Sequence, residues 1–212
     1  SETVNLSVTL LPDVTLNVNG TIQICNDETL TITAPTGATS YEWYHDGMLL
    51  PNIGNEIIVA TQGEYYLIAF NDNCPNTSET ITLEVIDYPD VTLNVGAINE
   101  ICEGDNLLIS IPALAQNYEW FRDGVSFAIG TPSIFVTETG DYHVVASNGD
   151  CEAISTTTFV DALPYPDVTL NVPTFNQLCE GDNLVISLPI GAQTYEWYLD
   201  GNLIPAATTN TY

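Results

Sequence analysis

Apolar and polar residues form short strand-like runs along the whole chain, and turn-forming residues separate the runs. In the first part of the sequence the runs cover residues 14–18, 30–32, 41–43, 57–60, 65–70 and 81–85. Alternation with a period of two is the pattern of a half-buried strand, whereas no stretch carries the wider period of an amphipathic helix. Pairs such as Asn19-Gly20 and Asp46-Gly47 lie between the runs and are typical of tight turns. The pattern therefore predicts an all-β chain.

The whole pattern recurs every 77 residues. The segment PDVTLNV begins at Pro12, Pro89 and Pro166, and a tryptophan keeps the same step. About seven short strands in each repeat indicate a two-sheet β-sandwich, so we expect tandem sandwiches. The predicted units are 10–87, 88–164, and a partial repeat at 165–212 that lacks its last strands. Residues 1–9 match the residues one period later, which predicts the last strand of a preceding repeat and a longer parent array.

Three segments of the second repeat resemble parts of a known fold. YEWFRDG at 118–124 resembles strand C of an immunoglobulin domain, GDYHVVASNG at 140–149 resembles strand F with the F–G turn, and EGD at 103–105 resembles the turn into strand B. Over nearly its whole length the chain is similar to tandem immunoglobulin domains of the I-set. The resemblance implies immunoglobulin-like β-sandwiches whose cores hold five aromatic residues: Trp43, Trp120, Trp197, Tyr65 and Tyr142.

The cysteines depart from the antibody pattern. Where an antibody domain has cysteine, two residues after the corner tyrosine, this chain has Leu67 and Val144. The cysteines stand instead early and late in each repeat, at Cys25, Cys74, Cys102, Cys151 and Cys179. This placement is similar to the immunoglobulin-like and PKD-like repeats of Bacteroidota surface adhesins, including type IX-secreted and gliding-motility adhesins. That resemblance implies an exported protein, extracellular or at the cell surface, whose cysteines form disulfides.

Two disulfide pairings are open. In the immunoglobulin sandwich that the resemblance implies, Cys25 and Cys74 lie at opposite poles, on the order of tens of ångströms apart. A disulfide needs Cα atoms within about 7 Å, which favours a bridge between repeats, Cys25 with Cys151. Cys102 would then pair with a cysteine one period beyond Cys151. The alternative pairs Cys25 with Cys74 and Cys102 with Cys151, and requires other strand directions.

The charge of the chain restricts its partners. The chain has 28 Asp and Glu against one Lys or Arg, which gives a formal net charge of −27. Nucleic acids and anionic membrane surfaces attract basic segments, so neither is an expected partner. No apolar run approaches the ~20 residues that span a bilayer, so no membrane insertion is predicted. The hydrophobic fraction of 45% is that of a chain that packs cores.

The junctions between repeats hold the candidate metal ligands. Asp87 with Asp90, and Asp161 with Asp167, offer the carboxylate oxygens that Ca²⁺ prefers. The alternative is that these four residues are solvated turn residues. We expect no other cofactor and no enzymatic activity, because neither histidine lies in a recognisable nucleophile–base arrangement and no glycine-rich phosphate loop is present.

The function predicted for the chain is that of stalk or spacer repeats, which extend a fibre from the cell. Its partners are the neighbouring repeats of the same chain. Short linkers stiffened by prolines favour a rod over a flexible coil. Two alternatives remain open: the repeats bind surface glycans or cations directly, or they associate laterally as a surface filament. The exposed aromatic candidates for contact are Tyr44, Phe121 and Tyr198.

Overall fold

The chain is built from strands and turns throughout residue 4 and residues 7–212, the part that the computed structural model describes. The all-β prediction is confirmed. The strand predicted at 1–9 falls partly on residues 1–3, 5 and 6, which lie outside the described residues, and residues 7–9 have no regular secondary structure. Within the described ranges we find no helix with the length and apolar character needed to cross a membrane.

The first 86 residues contain one sandwich of two sheets. Its strands are β1 Thr21–Cys25, β2 Leu30–Thr33, β3 Ser40–His45, β4 Met48–Leu49, β5 Glu56–Val59, β6 Gly63–Asn71, β7 Cys74–Thr77 and β8 Ile81–Ile86. The larger sheet has the order β1-β8-β6-β3-β4, with β7 beside β6, and the smaller sheet pairs β2 with β5. β1 is parallel to β8, whereas β6 is antiparallel to β3, β7 and β8.

A second sandwich repeats this arrangement. Its strands are β9 Ile98–Cys102, β10 Leu107–Ser110, β11 Asn117–Arg122, β12 Val125–Ile129, β13 Ser133–Val136, β14 Gly140–Asn148, β15 Cys151–Ile154 and β16 Thr158–Leu163. The larger sheet has the order β12-β11-β14-β16-β9, with β15 beside β14, and β10 pairs with β13. The 77-residue period in the sequence is thus a period of the fold.

The strand order is that of an immunoglobulin sandwich. β3, β6 and β8 occupy the positions of strands C, F and G in one sheet, and β2 and β5 those of strands B and E in the other. The second sandwich has the same assignment one period later. β7 and β8 both pair with β6, as one strand interrupted by a short irregular stretch.

Each sandwich has its own hydrophobic core. Trp43 and Trp120 are fully buried, and their indole Nε1 atoms donate hydrogen bonds to the carbonyl oxygens of Gly54 and Thr131, both at 2.9 Å. The two core clusters share no residue, and each draws its buried residues from one repeat. The sandwiches therefore fold around separate cores.

The corner tyrosines also lie in the cores. Tyr65 and Tyr142 are each 2% exposed, and their hydroxyls donate hydrogen bonds to the carbonyl oxygens of Thr61 and Glu138. A buried tyrosine hydroxyl needs such a partner. The acceptor lies four residues upstream in both repeats, so each bond ties the start of strand F to the loop before it.

Residues 165–212 contain only a few paired residues. Their strands are β17 Tyr198–Leu199 and β18 Asn202–Leu203, with one isolated bridge between Ser187 and Thr211. Trp197 is half-buried, so its expected place in a core is wrong. The physical reason is that residues 165–212 form no strands equivalent to β14 and β16, whose buried residues share a core with Trp120 in the second sandwich.

Candidate functional site: the junction between the sandwiches

The first side of the junction is the pole where the first sandwich ends. β1 and β8 run in parallel and pair Cys25 with Ile86, so both strands finish at the same pole. A tight turn fixes Cys25, because Glu28 donates its N–H to the Cys25 carbonyl at 2.9 Å and accepts the Cys25 N–H on its carboxylate at 3.0 Å. The chain leaves β8 at this pole toward the second sandwich.

The second side of the junction is the hairpin between β14 and β15. Asn148 pairs with Cys151, and Gly149 in the turn has φ +57°, a left-handed conformation that glycine adopts without steric cost. β16 begins beside Tyr142, near the start of β14, and runs antiparallel to β14, away from the hairpin. The hairpin therefore lies at the pole where the second sandwich receives the chain.

A disulfide joins the two sides. Cys25 and Cys151 are bonded with a Cα–Cα distance of 5.5 Å, across 126 residues of sequence. Both are buried, at 6% and 3% exposure. The bridge runs between the repeats, and the alternative pairing of Cys25 with Cys74 is not formed. Of the remaining cysteines in the described part of the chain, Cys74 is half-buried and free. Cys102 and Cys179 are exposed and free.

Asp87 connects the two sandwiches through hydrogen bonds. Its carboxylate accepts the amide of Asn26 at 2.8 Å, and its carbonyl oxygen accepts the amide of Asn148 at 3.0 Å. Next to it, the Tyr88 hydroxyl donates to the Asp27 carboxylate at 2.9 Å, and this bond raises the pKa of Tyr88. These bonds hold the linker against both poles.

The same contact occurs one period earlier. The amide of Asn71 donates to the carbonyl oxygen of Leu10 at 2.9 Å, which is the counterpart of the bond from Asn148 to Asp87. Residues before the first sandwich therefore lie on its hairpin as the linker lies on the hairpin of the second sandwich. Sequence analysis missed these asparagines, although their recurrence at the end of strand F was a visible signal.

The carboxylates proposed to bind calcium have other partners. The Asp90 carboxylate accepts the N–H of Thr92 at 2.9 Å, and the Asp167 carboxylate accepts the N–H of Thr169 at 2.8 Å. Hydrogen bonds from these threonines lower the pKa of both aspartates. Asp161 accepts from the hydroxyl of Thr139 at 3.4 Å, on the second sandwich.

The geometry gives the calcium prediction no support. No group of three or more His, Cys, Asp and Glu residues suited to a metal ion occurs among the residues that the structure describes. Asp13, one period before Asp90, also accepts the N–H of a threonine two residues on. The recurring Pro-Asp-Val-Thr motif is therefore a local turn in which aspartate caps a backbone N–H.

The aromatic candidates for glycan contact stack across strands. The rings of Tyr44 and Tyr66 lie 4.9 Å apart with planes 2° from parallel, and Phe121 and His143 repeat this geometry at 4.9 Å and 1°. All four side chains are half-buried on the outer face of the larger sheet. Cross-strand aromatic pairs stabilise a sheet. Tyr198 lies exposed in the third segment and donates to Glu196.

Comparison with known proteins gives structural neighbours only. No family model and no curated protein matches the sequence. The N-terminal four Ig domains of Dscam1 isoform 6.9 align with 12% identity and a TM-score of 0.40, over 71% of this chain and 46% of that chain. The N-terminal eight Ig domains of Down Syndrome Cell Adhesion Molecule isoform 1.30.30 align with 12% identity and a TM-score of 0.39, over 92% and 34%.

Murine CEACAM1b aligns with 12% identity and a TM-score of 0.41, over 66% of this chain and 96% of that chain. This chain spans less than half the length of the two Dscam structures. Each of these TM-scores is below 0.5. The strand order of the chain itself defines the fold. By that order, the chain is a tandem of immunoglobulin-like β-sandwiches.

Proposed function

We propose that the chain is a spacer segment of an exported surface protein, in which repeats 10–87 and 88–164 are fixed end to end. The single observation that carries this proposal is the disulfide between Cys25 and Cys151, which joins the facing poles of consecutive sandwiches. Disulfides persist in oxidising compartments outside the cytosol. An adhesin stalk of the kind found on Bacteroidota surfaces is the protein class that this arrangement fits.

A fixed junction suits a spacer because relative motion is the default for two domains on one chain. Here the linker is short, Pro89 is buried, and Asp87 bonds to both poles. The disulfide adds a covalent restraint at a second point. Two attachment points between the same pair of bodies limit bending more than one linker does. A rod is therefore the expected shape.

The acidic surface fits the same role. A net charge of −27 keeps a long array soluble and makes its copies repel one another.

Exposed apolar residues on the edge strand β12 favour a second candidate function, lateral association. Val125 and Ile129 are 68% and 75% exposed there, and an unpaired edge strand is a template for pairing with another chain. We propose no enzymatic role.

Small-angle X-ray scattering of the oxidised chain tests the spacer role. We expect an elongated particle with a single, well-defined maximum dimension. In the double variant Cys25→Ser with Cys151→Ser we expect a broader distribution of dimensions, because the junction has lost its second attachment. Cys102→Ser is the matched control, since Cys102 is exposed and free. An oxidised wild-type chain that folds back on itself would contradict the spacer.

Sedimentation velocity over a range of concentrations tests lateral association. A concentration-dependent increase in the sedimentation coefficient that Ile129→Lys abolishes would support the second candidate. A constant monomer value at every concentration would remove it and leave the spacer alone.

A further inference from the structure

The disulfide changes the route by which tension crosses the molecule. Cys25 and Cys151 close a covalent loop that contains residues 26–150. A pull on the two ends of a chain is transmitted through the shortest covalent route. That route enters at the N-terminal side, crosses the disulfide and leaves through the residues after Cys151. We propose that the disulfide shields residues 26–150 from tension, so that most of both sandwiches is not stretched when the array is pulled.

In the first sandwich the tension route is residues 10–25, which bend between Asn17 and Gly20 and form a strand at Thr21–Cys25. At one pole the carbonyl oxygens of Leu10 and Pro12 accept side-chain amides from the hairpin between β6 and β7. Further along, the Gly20 carbonyl accepts the N–H of Thr82 at 3.0 Å, and Cys25 ends the segment at the opposite pole. Residues 10–25 therefore cross the sandwich from pole to pole.

The tension route through the second sandwich consists of β15, a short irregular stretch and β16. Cys151 begins at the hairpin, where it pairs with Asn148, and Val160 pairs with Gly140 at the other end of β14. β15 and β16 together follow the whole length of β14. Residues 151–163 therefore cross the second sandwich from the disulfide to the pole where the chain leaves.

The strands of this route can lengthen little under tension. Thr21–Cys25, Cys151–Ile154 and Thr158–Leu163 already span about 3.3 Å per residue, whereas a fully extended chain spans at most ~3.6 Å per residue. The route joins residues 10–25 and 151–163 through one disulfide, and no compact unit lies in series between them. Without the disulfide, tension would pass through every residue between 26 and 150, and unfolding of either sandwich would lengthen the chain.

This inference deepens the proposed spacer function and rests on it for its biological purpose, since a fibre that holds a cell or a ligand is pulled from its ends. The bridged cysteines are separated by 126 positions in the sequence, more than the 77-residue repeat. Cys102 lies at the far pole of the second sandwich as Cys25 does on the first, paired with Leu163 where Cys25 pairs with Ile86. An equivalent bridge from Cys102 would produce overlapping loops along an array.

Single-molecule pulling on the whole chain tests the shielding directly. Handles are attached through peptide tags at the two ends, which leaves every cysteine untouched. We expect the fully stretched oxidised chain to be shorter than the reduced chain by about 450 Å, because the bridged cysteines have a sequence separation of 126 and each step spans at most ~3.6 Å. The difference depends on covalent connectivity alone, so it remains measurable even in a variant that folds poorly.

Two variants make the test specific. The double variant Cys25→Ser with Cys151→Ser is expected to reach the longer length without reductant, whereas Cys102→Ser is expected to behave as the wild type. Equal lengths of the oxidised and reduced wild-type chains would overturn the inference. So would steps in the oxidised wild type that release residues between 26 and 150.

The scattering experiment separates this inference from the spacer role. If the stretched lengths of the oxidised and reduced chains differ by about 450 Å but the junction bends freely, the shielding is supported and the rigid spacer is contradicted. If the chain is elongated and stiff but its stretched length does not change on reduction, the spacer is supported and the shielding is contradicted.

Discussion

The second sandwich and the third segment carry the same motifs but reach different structures. Trp120 and Trp197 follow the same Tyr-Glu pair, and both indoles donate to a carbonyl oxygen, that of Thr131 at 2.9 Å and that of Thr209 at 2.8 Å. Yet Trp120 is fully buried and Trp197 is only half-buried. The indole therefore finds a carbonyl acceptor in both regions, 11 residues on for Trp120 and 12 residues on for Trp197, whereas burial comes from strands supplied elsewhere.

The linkers show the same contrast. Pro89 is buried where the chain enters the second sandwich, and Pro166 is exposed one period later. Val168 and Leu170 are 70% and 47% exposed, whereas their counterparts in the second repeat pack against its core. The third segment thus has the sequence of a sandwich, but its apolar residues do not gain the free energy of packing in a core. Variants at matched positions of the two regions measure that free energy.

The largest difference is expected at the tryptophans. Trp120→Ala removes a fully buried side chain and should lower the free energy of unfolding by about 3–5 kcal/mol. Trp197→Ala should change it by less than about 1 kcal/mol, because the side chain is half-buried and belongs to neither core cluster. Urea unfolding followed by circular dichroism measures both. Equal losses would show that the third segment has a core of its own.

A second comparison concerns the cysteines. Removing the bridge with Cys25→Ser and Cys151→Ser should lower the free energy of unfolding by about 2–4 kcal/mol, because the unfolded chain loses a constraint. Cys179→Ser, at the equivalent position in the third segment, should have no measurable effect because Cys179 is exposed and free. Urea unfolding under non-reducing conditions gives both values, and a destabilised Cys179→Ser chain would indicate a disulfide that involves this residue.

The sequence indicated what depends on repetition and on residue type. The alternating runs and their recurrence every 77 residues predicted the sandwiches, and the resemblance to immunoglobulin domains implied that Trp43, Trp120, Tyr65 and Tyr142 fill their cores. The burial of Trp197 was predicted wrongly, because burial depends on strands that lie far along the chain from the residue itself. Period and motif cannot show whether those partners are present.

The junction was harder to predict. The bridge between the repeats was one of two open pairings, because the choice depended on the pole at which each strand ends. The bonds of Asp87 to Asn26 and Asn148 were not predicted at all. Asparagine and aspartate are common in turns, so their presence in the sequence does not reveal which of them form hydrogen bonds with each other. Only the strand directions bring these residues within 3.0 Å.

A smaller effect is expected at alkaline pH. Burial raises the pKa of Tyr65 and Tyr142 above the ordinary value of about 10. The folded state therefore holds these protons more tightly than the unfolded state, so this stability is present below pH ~10 and is lost as pH rises through the folded-state pKa. Tyr142→Phe should show a shallower alkaline loss in a pH series of urea unfolding. Tyr165→Phe, at a 65% exposed position, should retain the wild-type slope. If Tyr142→Phe loses stability with rising pH as steeply as the wild type, the raised pKa of Tyr142 does not contribute to the alkaline loss.

The smallest effect is expected at the aspartates that cap the recurring turn. The pKa of Asp90 and the pKa of Asp167 are both lowered by hydrogen bonds from the threonine two residues on. A lowered pKa means that the ionised carboxylate stabilises the turn above pH ~4, and that this stability is lost as pH falls through the folded-state pKa. The two motifs are chemically the same, so NMR titration should find both pKa values below the ordinary one.

Their effects on thermal stability should nevertheless differ. Asp90→Ala should lower the melting temperature slightly, because its turn leads into Val91 and Leu93, which pack against the second core. Asp167→Ala should leave it unchanged, because its turn leads into exposed residues. Differential scanning calorimetry with and without Ca²⁺ completes the test. If Ca²⁺ raises the melting temperature and Asp90→Ala abolishes this increase, a metal site at Asp90 is supported. If Asp90→Ala lowers the melting temperature equally with and without Ca²⁺, the aspartate acts in the turn. The same carboxylate then stabilises a sandwich only where the strand it introduces has a core to join.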